Sequence, residues 1–153
     1  MLHSVIKLKK KINNNKVALV TGAGSGIGKA VAIGLAKEGL KVYLAGRKKE
    51  KLLNTKQTSV QNKNKGSCHV FKCDVTKEPE VKKLFFLIQK QHGRLDLLFN
   101  NAGIAIYSKT IDEIKFEDWK KVMDININGM FLCAKYAYQM MKKQRPKGGR
   151  IIN

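Results

Sequence analysis

Acid is what this chain lacks most. Its 153 residues carry 11 Asp and Glu against 31 Lys and Arg, a formal net charge of +20. Such an excess calls for polyanionic partners, nucleic acid first among them. The basic residues, however, are nearly all lysine. Arginine is confined to Arg47, Arg94, Arg145 and Arg150, and aromatic residues make up 7% of the chain. Nucleic-acid readers depend on arginine forks and interleaved aromatic rings. Neither pattern is here, so no specific nucleic-acid partner is expected, only salt-sensitive adhesion to polyanions. Cysteine is scarce too. Cys68, Cys73 and Cys133 make no disulfide framework, and with no secretory segment they suit a reducing, cytoplasmic compartment. Cys68-His69 and Cys73 lie in an alternating strand pattern without a fourth ligand at metal-site spacing, so no metal is expected. No apolar run approaches a membrane span, which speaks against a membrane partner. Residues 1–15 hold Lys7, Lys9, Lys10 and Lys11 among their apolar positions. They lack the continuous apolar core of a signal peptide and read as a basic N-terminal tail.

With 43% hydrophobic residues, the remainder can bury a core, and its pattern alternates strand with helix. Val17 to Val20 make a short buried strand. A helix-period run follows, with Ile27, Ala30, Val31, Gly34 and Leu35 on one face and Gly39 as its stop. Lys41 to Ala45 read as a second strand, and Arg47 to about Asn64 as a polar helix. Residues 68–73 read as a third strand. Thr76 is the expected N-cap of a helix whose first turn admits Pro79 and which Gly93 ends. Leu95 to Phe99 form a near-continuous apolar strand. A long helix runs from Phe116 or Trp119 to about Gln144, and Pro146 with Gly148-Gly149 breaks it. Arg150 to Ile152 open a fifth strand. Alternation of this kind predicts an α/β fold: a doubly wound parallel sheet with helices on both faces and right-handed crossovers. A βα repeat takes about 30 residues, so a six-stranded sheet of this type needs roughly 180, and the chain is expected to stop within the fifth strand. Residues 16–153 are then one nucleotide-binding domain, incomplete at its C-terminus.

The residues that carry chemistry cluster at the carboxyl ends of the predicted strands, where such sheets bind ligands. After the first strand come Thr21-Gly22-Ala23-Gly24-Ser25-Gly26-Ile27-Gly28. Glycines here permit a tight turn, close approach to a pyrophosphate and close packing of helix on strand, and the helix N-terminus offers free N–H groups to phosphate. After the second strand, Gly46 stands where an NAD-specific site places an acid for the ribose hydroxyls. Arg47 follows, able to take a 2′-phosphate by paired charged hydrogen bonds. NADP is therefore expected, with NAD the less favoured cofactor. Asp74-Val75 follow the third strand and Asn100 to Gly103 the fourth.

The glycine spacing Thr-Gly-x-x-x-Gly-x-Gly, the Asp-Val pair and Asn-Asn-Ala-Gly resemble the short-chain dehydrogenase/reductase family, in particular its 3-oxoacyl-ACP-reductase-like members. The resemblance covers about residues 16–153 and implies a Rossmann-type fold and NAD(P)-dependent oxidoreduction of a carbonyl or alcohol substrate. It implies that Asp74 accepts from the adenine amino group with Val75 beside it, and that Asn101, Ala102 and Gly103 line the cofactor. Asn100 would tie strand four to its neighbours. Asn126, inside the apolar stripe 119, 122, 123, 126, 130, 134, 137 and 141, would be the catalytic-site asparagine that holds a water in a proton relay, with Gly129 nearby permitting a kink. A second stripe, Ile127, Phe131 and Tyr138, leaves the helix over 116–144 apolar nearly all round. By resemblance it would pair subunits into a homo-oligomer. The family's catalytic serine and Tyr-x-x-x-Lys would fall after Asn153, so the chain as given is expected to be inactive. Tyr138 and Lys142 match the Tyr-x-x-x-Lys spacing. They precede strand five and lie about 18 and 24 Å along the helix from Asn126, so they are read as packing and surface residues. Two other readings stand beside this one: a non-catalytic nucleotide-binding relative, and a basic nucleic-acid-binding protein.

Overall fold

A computed structural model describes residues 15–62, 65–106 and 110–153. The basic tail expected over 1–15 and the end of the helix expected at Asn64 lie almost wholly outside these residues. The elements are β1 (Val17–Thr21), α1 (Gly26–Lys37), β2 (Lys41–Gly46), α2 (Lys49–Gln61), β3 (Ser67–Lys72), α3 (Glu78–His92), β4 (Leu97–Phe99), a 3₁₀ turn (Ile111–Glu113), α4 (Phe116–Met123), a π-helical segment (Asp124–Gly129), α5 (Met130–Lys143) and β5 (Arg150–Ile152). The strands form one sheet in the order β3-β2-β1-β4-β5, all parallel. This is the expected doubly wound α/β architecture. Strand order reverses between β1 and β4, which places a ligand crevice at the carboxyl ends of those two strands.

Every residue of β1 is buried, because helices cover both faces of the sheet. Alternation then sorts the side chains by layer. Val17, Leu19, Tyr43 and Ala45 pack with Val81, Leu84, Phe85 and Ile88 of α3 and with Cys133, Ala137, Met140 and Met141 of α5. Ala18, Val20, Val42 and Leu44 pack with Ala32 and Ala36 of α1 and Leu52 of α2. The three cysteines are buried and unpaired. Burial pushes the thiols of Cys73 and Cys133 up to about 12, so they behave as small apolar groups.

The structure departs from the sequence pattern at four places. The buried face of α1 is Gly28, Ala32 and Ala36, while Ile27 is 70% exposed. Small residues carry little weight in a hydrophobic period, so the larger Ile27 and Val31 set the expected face one residue out of phase. Thr76 does not cap α3. The N-cap is Lys77, and Thr76 instead donates through its amide (3.1 Å) and hydroxyl (2.8 Å) to Asp74 Oδ1. This Asx-type turn competes with capping. Glu78 and Glu80 at the first turn, Lys90 and His92 at the last, and left-handed Gly93 at the C-cap delimit α3, as the helix dipole and the αL cap favour. The polar second helix begins at Lys49, two residues later than expected. The long helix is continuous from 116 to 143 but widens to a π-helical turn at Asp124–Gly129. Gly129 there serves contact: a Cβ on it would sit 2.6 Å from Val75 Cγ2, so its absence lets the helix close on the loop after β3.

Among the described residues no helix is long and apolar enough to cross a membrane.

Candidate cofactor site

The crevice is built by hydrogen bonds between the ends of β1 and β4. Thr21, the last residue of β1, is buried. Its Oγ1 accepts from the amides of Asn101 (2.9 Å) and Ala102 (3.0 Å). Asn101 answers with its side chain, donating through Nδ2 to the carbonyls of Thr21 (3.1 Å) and Gly22 (3.4 Å). These bonds hold the glycine-rich loop to the turn after β4 at the point of strand reversal. Gly22 adopts φ +64°, which a side chain would strain. A Cβ on Gly28 would lie 2.5 Å from the Gly22 carbonyl oxygen and would overlap Asn101 Nδ2. The loop therefore closes only with glycine at 28.

Helix α1 starts in a manner suited to an anion. Its N-cap Ser25 makes no side-chain capping bond, and no acid stands in the first turn. The N–H groups and the positive end of the helix dipole are thus left for a ligand. Ala23 is anchored beneath: its amide donates to Ala45 O at 3.2 Å. Ser25, Gly26 and Ile27 are exposed at the rim, and Gly24 is half-buried.

A cleft of about 110 Å³ opens above these strand ends, lined by Gly22, Gly46, Arg47, Asp74, Val75, Ala102 and Gly103 together with Cys73, Ile104 and Ile125. Six sequence-predicted residues, Gly22, Arg47, Asp74, Val75, Ala102 and Gly103, thus converge on one concavity, although they come from four separate strand ends. Ile104 and Ile125 add an apolar wall that no motif announced. A larger groove of about 490 Å³ lies between α3 and α5. Gly93, Gln144 and Arg145 in its lining place it toward the amino ends of β4 and β5, away from the crevice.

Asn100 ties β4 to its neighbours: its amide donates to Ile152 O (2.8 Å) and its side chain to Asn153 Oδ1 (2.9 Å) and Met130 O (3.4 Å). The Asn101 side chain faces the glycine loop. Asn126 sits in the π-helical turn and pairs with one backbone unit, accepting from Ile104 N and donating to Ile104 O, both at 2.9 Å. It thereby pins the loop after β4 where that loop borders the cleft, and Gly103 lies against it, a Cβ there being 3.2 Å from Asn126 Oδ1. Asn126 keeps one further donor and one further acceptor position. Tyr138 is 63% exposed and Lys142 is exposed on the outer face of α5. Ile127 and Phe131 are also exposed.

Residues 16–153 match the family model described as short chain dehydrogenase. The chain is 42% identical over 140 residues to a 3beta-hydroxysteroid dehydrogenase of Mediterraneibacter gnavus, covering 92% of this chain and 49% of that protein. It is 42% identical over 139 residues to an uncharacterized oxidoreductase of Staphylococcus aureus strain MRSA252, covering 91% and 57%. A metagenomic short-chain oxidoreductase solved in complex with NADP superposes with a TM-score of 0.83 at 30% identity, covering 91% of this chain and 61% of that one. A short-chain type dehydrogenase/reductase from Mycobacterium ulcerans gives 0.82 at 34%, covering 89% and 49%. The chain spans about half the length of the curated relatives it matches.

Proposed function

The chain belongs to the short chain dehydrogenase family, and on that premise we propose that it is the NADP(H)-binding part of an oxidoreductase that moves hydride between the nicotinamide and a carbonyl or alcohol. The observation that carries this reading is the cradle at the strand reversal. Gly26, exposed at φ +53°, faces open space, since a Cβ on it would meet nothing within 4 Å, and α1 begins there with no side-chain cap from Ser25. Such a surface lets a pyrophosphate approach backbone N–H groups with no side chain between.

The residues present fit the cofactor part by part. The loop Gly22-Ala23-Gly24-Ser25-Gly26-Ile27-Gly28 would hold the pyrophosphate. Arg47, exposed at the mouth of the cleft, would pair with the 2′-phosphate. With Gly46 in place of an acid, nothing at that position repels it. Asp74 and Val75 would border the adenine, and Asp74 is held in place by Thr76. Ala102 and Gly103 would line the far side. The bound nicotinamide supplies the redox chemistry. Asn126 would steady a water through its remaining hydrogen-bonding positions while it fixes Ile104. The exposed Ile127, Phe131 and Tyr138 support pairing of subunits through the helix over 116–144, and the buried free thiols suit a cytoplasmic setting.

The test is equilibrium titration with NADPH and NADH, following nicotinamide fluorescence. Saturable binding at one site per chain, tighter for NADPH, is expected. Failure of both cofactors to bind would overturn the proposal.

A further inference from the structure

We propose that Thr55, a residue of α2 outside the cleft, positions the glycine-rich loop for the pyrophosphate of the cofactor and so sets affinity for NADPH and NADH alike. This rests on the nucleotide-binding reading above. Thr55 is fully buried. Its Oγ1 lies 2.9 Å from Ala23 O and 3.1 Å from Lys51 O. A hydroxyl has one proton to donate. The Lys51 carbonyl is the usual i−4 partner of a helical threonine, whereas the bond to Ala23, the closer of the two, reaches 32 residues back into the loop.

That bond fixes a peptide plane. The Ala23 amide is held by Ala45 O and its carbonyl by Thr55, so both polar groups of Ala23 are anchored from below. In a trans peptide the carbonyl and the following N–H point in opposite directions. Pinning Ala23 O toward α2 therefore aims the Gly24 N–H away from α2. The loop also lies directly on the helix: a Cβ on Gly24 would be 2.9 Å from Lys51 Cβ. One residue along, Leu52 packs under Gly46, with 3.4 Å between Leu52 Cδ2 and a Cβ built there. The same turn of α2 thus seats both the glycine loop and the end of β2 that leads into Arg47. Thr55 locks the register between these two segments. It is a positioning residue, because it reaches the ligand only through the loop.

Thr58 supplies an internal control. It is also in α2, and its hydroxyl makes the i−4 bond to Asn54 O at 2.9 Å at the surface rather than a bond to the loop. Thr55→Val keeps the shape and removes the hydroxyl. Losing one hydrogen bond and leaving a buried carbonyl unpaired is expected to weaken NADPH and NADH each by about tenfold, with their ratio unchanged. Thr55→Ser is expected to restore binding to within about twofold, since it keeps the donor. Thr58→Val should leave both affinities as they are. Circular dichroism and a thermal melt confirm that each variant is folded at the titration temperature. If Thr55→Val does not fold, Thr55→Ala takes its place beside Thr55→Ser. A folded hydroxyl-free variant that binds both cofactors as the unaltered chain does would overturn the role of Thr55 alone. So would a loss that Thr55→Ser fails to rescue. An unaltered chain that binds neither cofactor would bring down the nucleotide-binding reading and this inference with it.

Discussion

Asn101 Nδ2 occupies the space that a side chain on Gly28 would need, and from there it donates to the carbonyls of Thr21 and Gly22. One amide group thus explains why position 28 must be glycine and why the turn after β4 stays closed on the loop after β1. Gly28→Ala would have to displace both the Asn101 side chain and the Gly22 carbonyl. Overpacking of this kind costs about 1–3 kcal/mol. The expected result is a lowered urea midpoint together with at least a tenfold loss of NADPH affinity, of the order of one lost charged or paired contact. Unchanged affinity in a folded Gly28→Ala chain would show that the cradle is not where the cofactor sits.

Gln144 provides a second test, of the fold alone. It is 5% exposed. Its Oε1 accepts from Leu95 N at 2.8 Å, and its Nε2 donates to Leu95 O at 3.0 Å. The side chain thereby extends the sheet's hydrogen bonding past the start of β4. Gln144→Leu would keep the volume and strand both Leu95 groups. A buried polar group left unpaired costs about 1–3 kcal/mol, so a loss of roughly 2–4 kcal/mol in urea unfolding is expected. Lys143→Ala, one residue earlier and exposed, should change stability by less than about 0.5 kcal/mol.

Acid should unfold the chain in two stages. Tyr43, His69 and His92 form a ring cluster, with centroids 5.1, 5.7 and 6.0 Å apart. Burial lowers the pKa of His69, and the charges of His92, Lys56 and Lys41 lower it further. Burial and then Lys41 do the same to His92. The unfolded chain therefore takes up these protons first. Their contribution is complete above about pH 6.5, the ordinary histidine value, and is lost as pH falls from there through the folded values. Asp96 acts lower on the scale. Burial opposes its charge, but the Arg94 hydrogen bonds, the Val17 amide, the Arg94 charge and Lys16 outweigh burial and hold it below the usual carboxylate range. Its contribution is lost only below about pH 4. Melting temperature measured from pH 8 to 3 should fall in these two windows, and His92→Phe should flatten the upper one. A flat profile between pH 6.5 and 5 would contradict the cluster's role.

Much of this was legible in the sequence because it depends on local pattern. The β1 run, the glycine spacing and the apolar stretch of β4 gave the parallel sheet, and placing candidates at strand ends brought Gly22, Arg47, Asp74, Val75, Ala102 and Gly103 to one cleft. What escaped depends on contacts between distant segments. Thr55 is one of three hydroxyl residues in a polar helix, and its link to Ala23 exists only once α2 lies under the loop. Gln144 reads as a helix-end glutamine until Leu95 arrives beside it. Gly129 points to an irregularity in the helix around Asn126, but the pairing of Asn126 with Ile104 joins two segments 22 residues apart and has no local pattern. Hydrophobic periodicity sets α1 one residue out of phase because close packing selects Gly28, Ala32 and Ala36 for smallness, a property that periodicity does not weigh.

The central claim, that the crevice between β1 and β4 takes NADP(H) with Arg47 on its 2′-phosphate, is tested most directly by one ratio. This is the affinity for NADPH divided by that for NADH, measured by titration in the unaltered chain and in Arg47→Asp. Arg47 lines the cleft from its exposed side, so the substitution should leave the fold intact. A charged hydrogen bond is worth about 1.5–3 kcal/mol, and the ratio should therefore drop by roughly ten- to a hundredfold, almost wholly through weaker NADPH binding. Equal losses for the two cofactors, or none for either, would contradict the account.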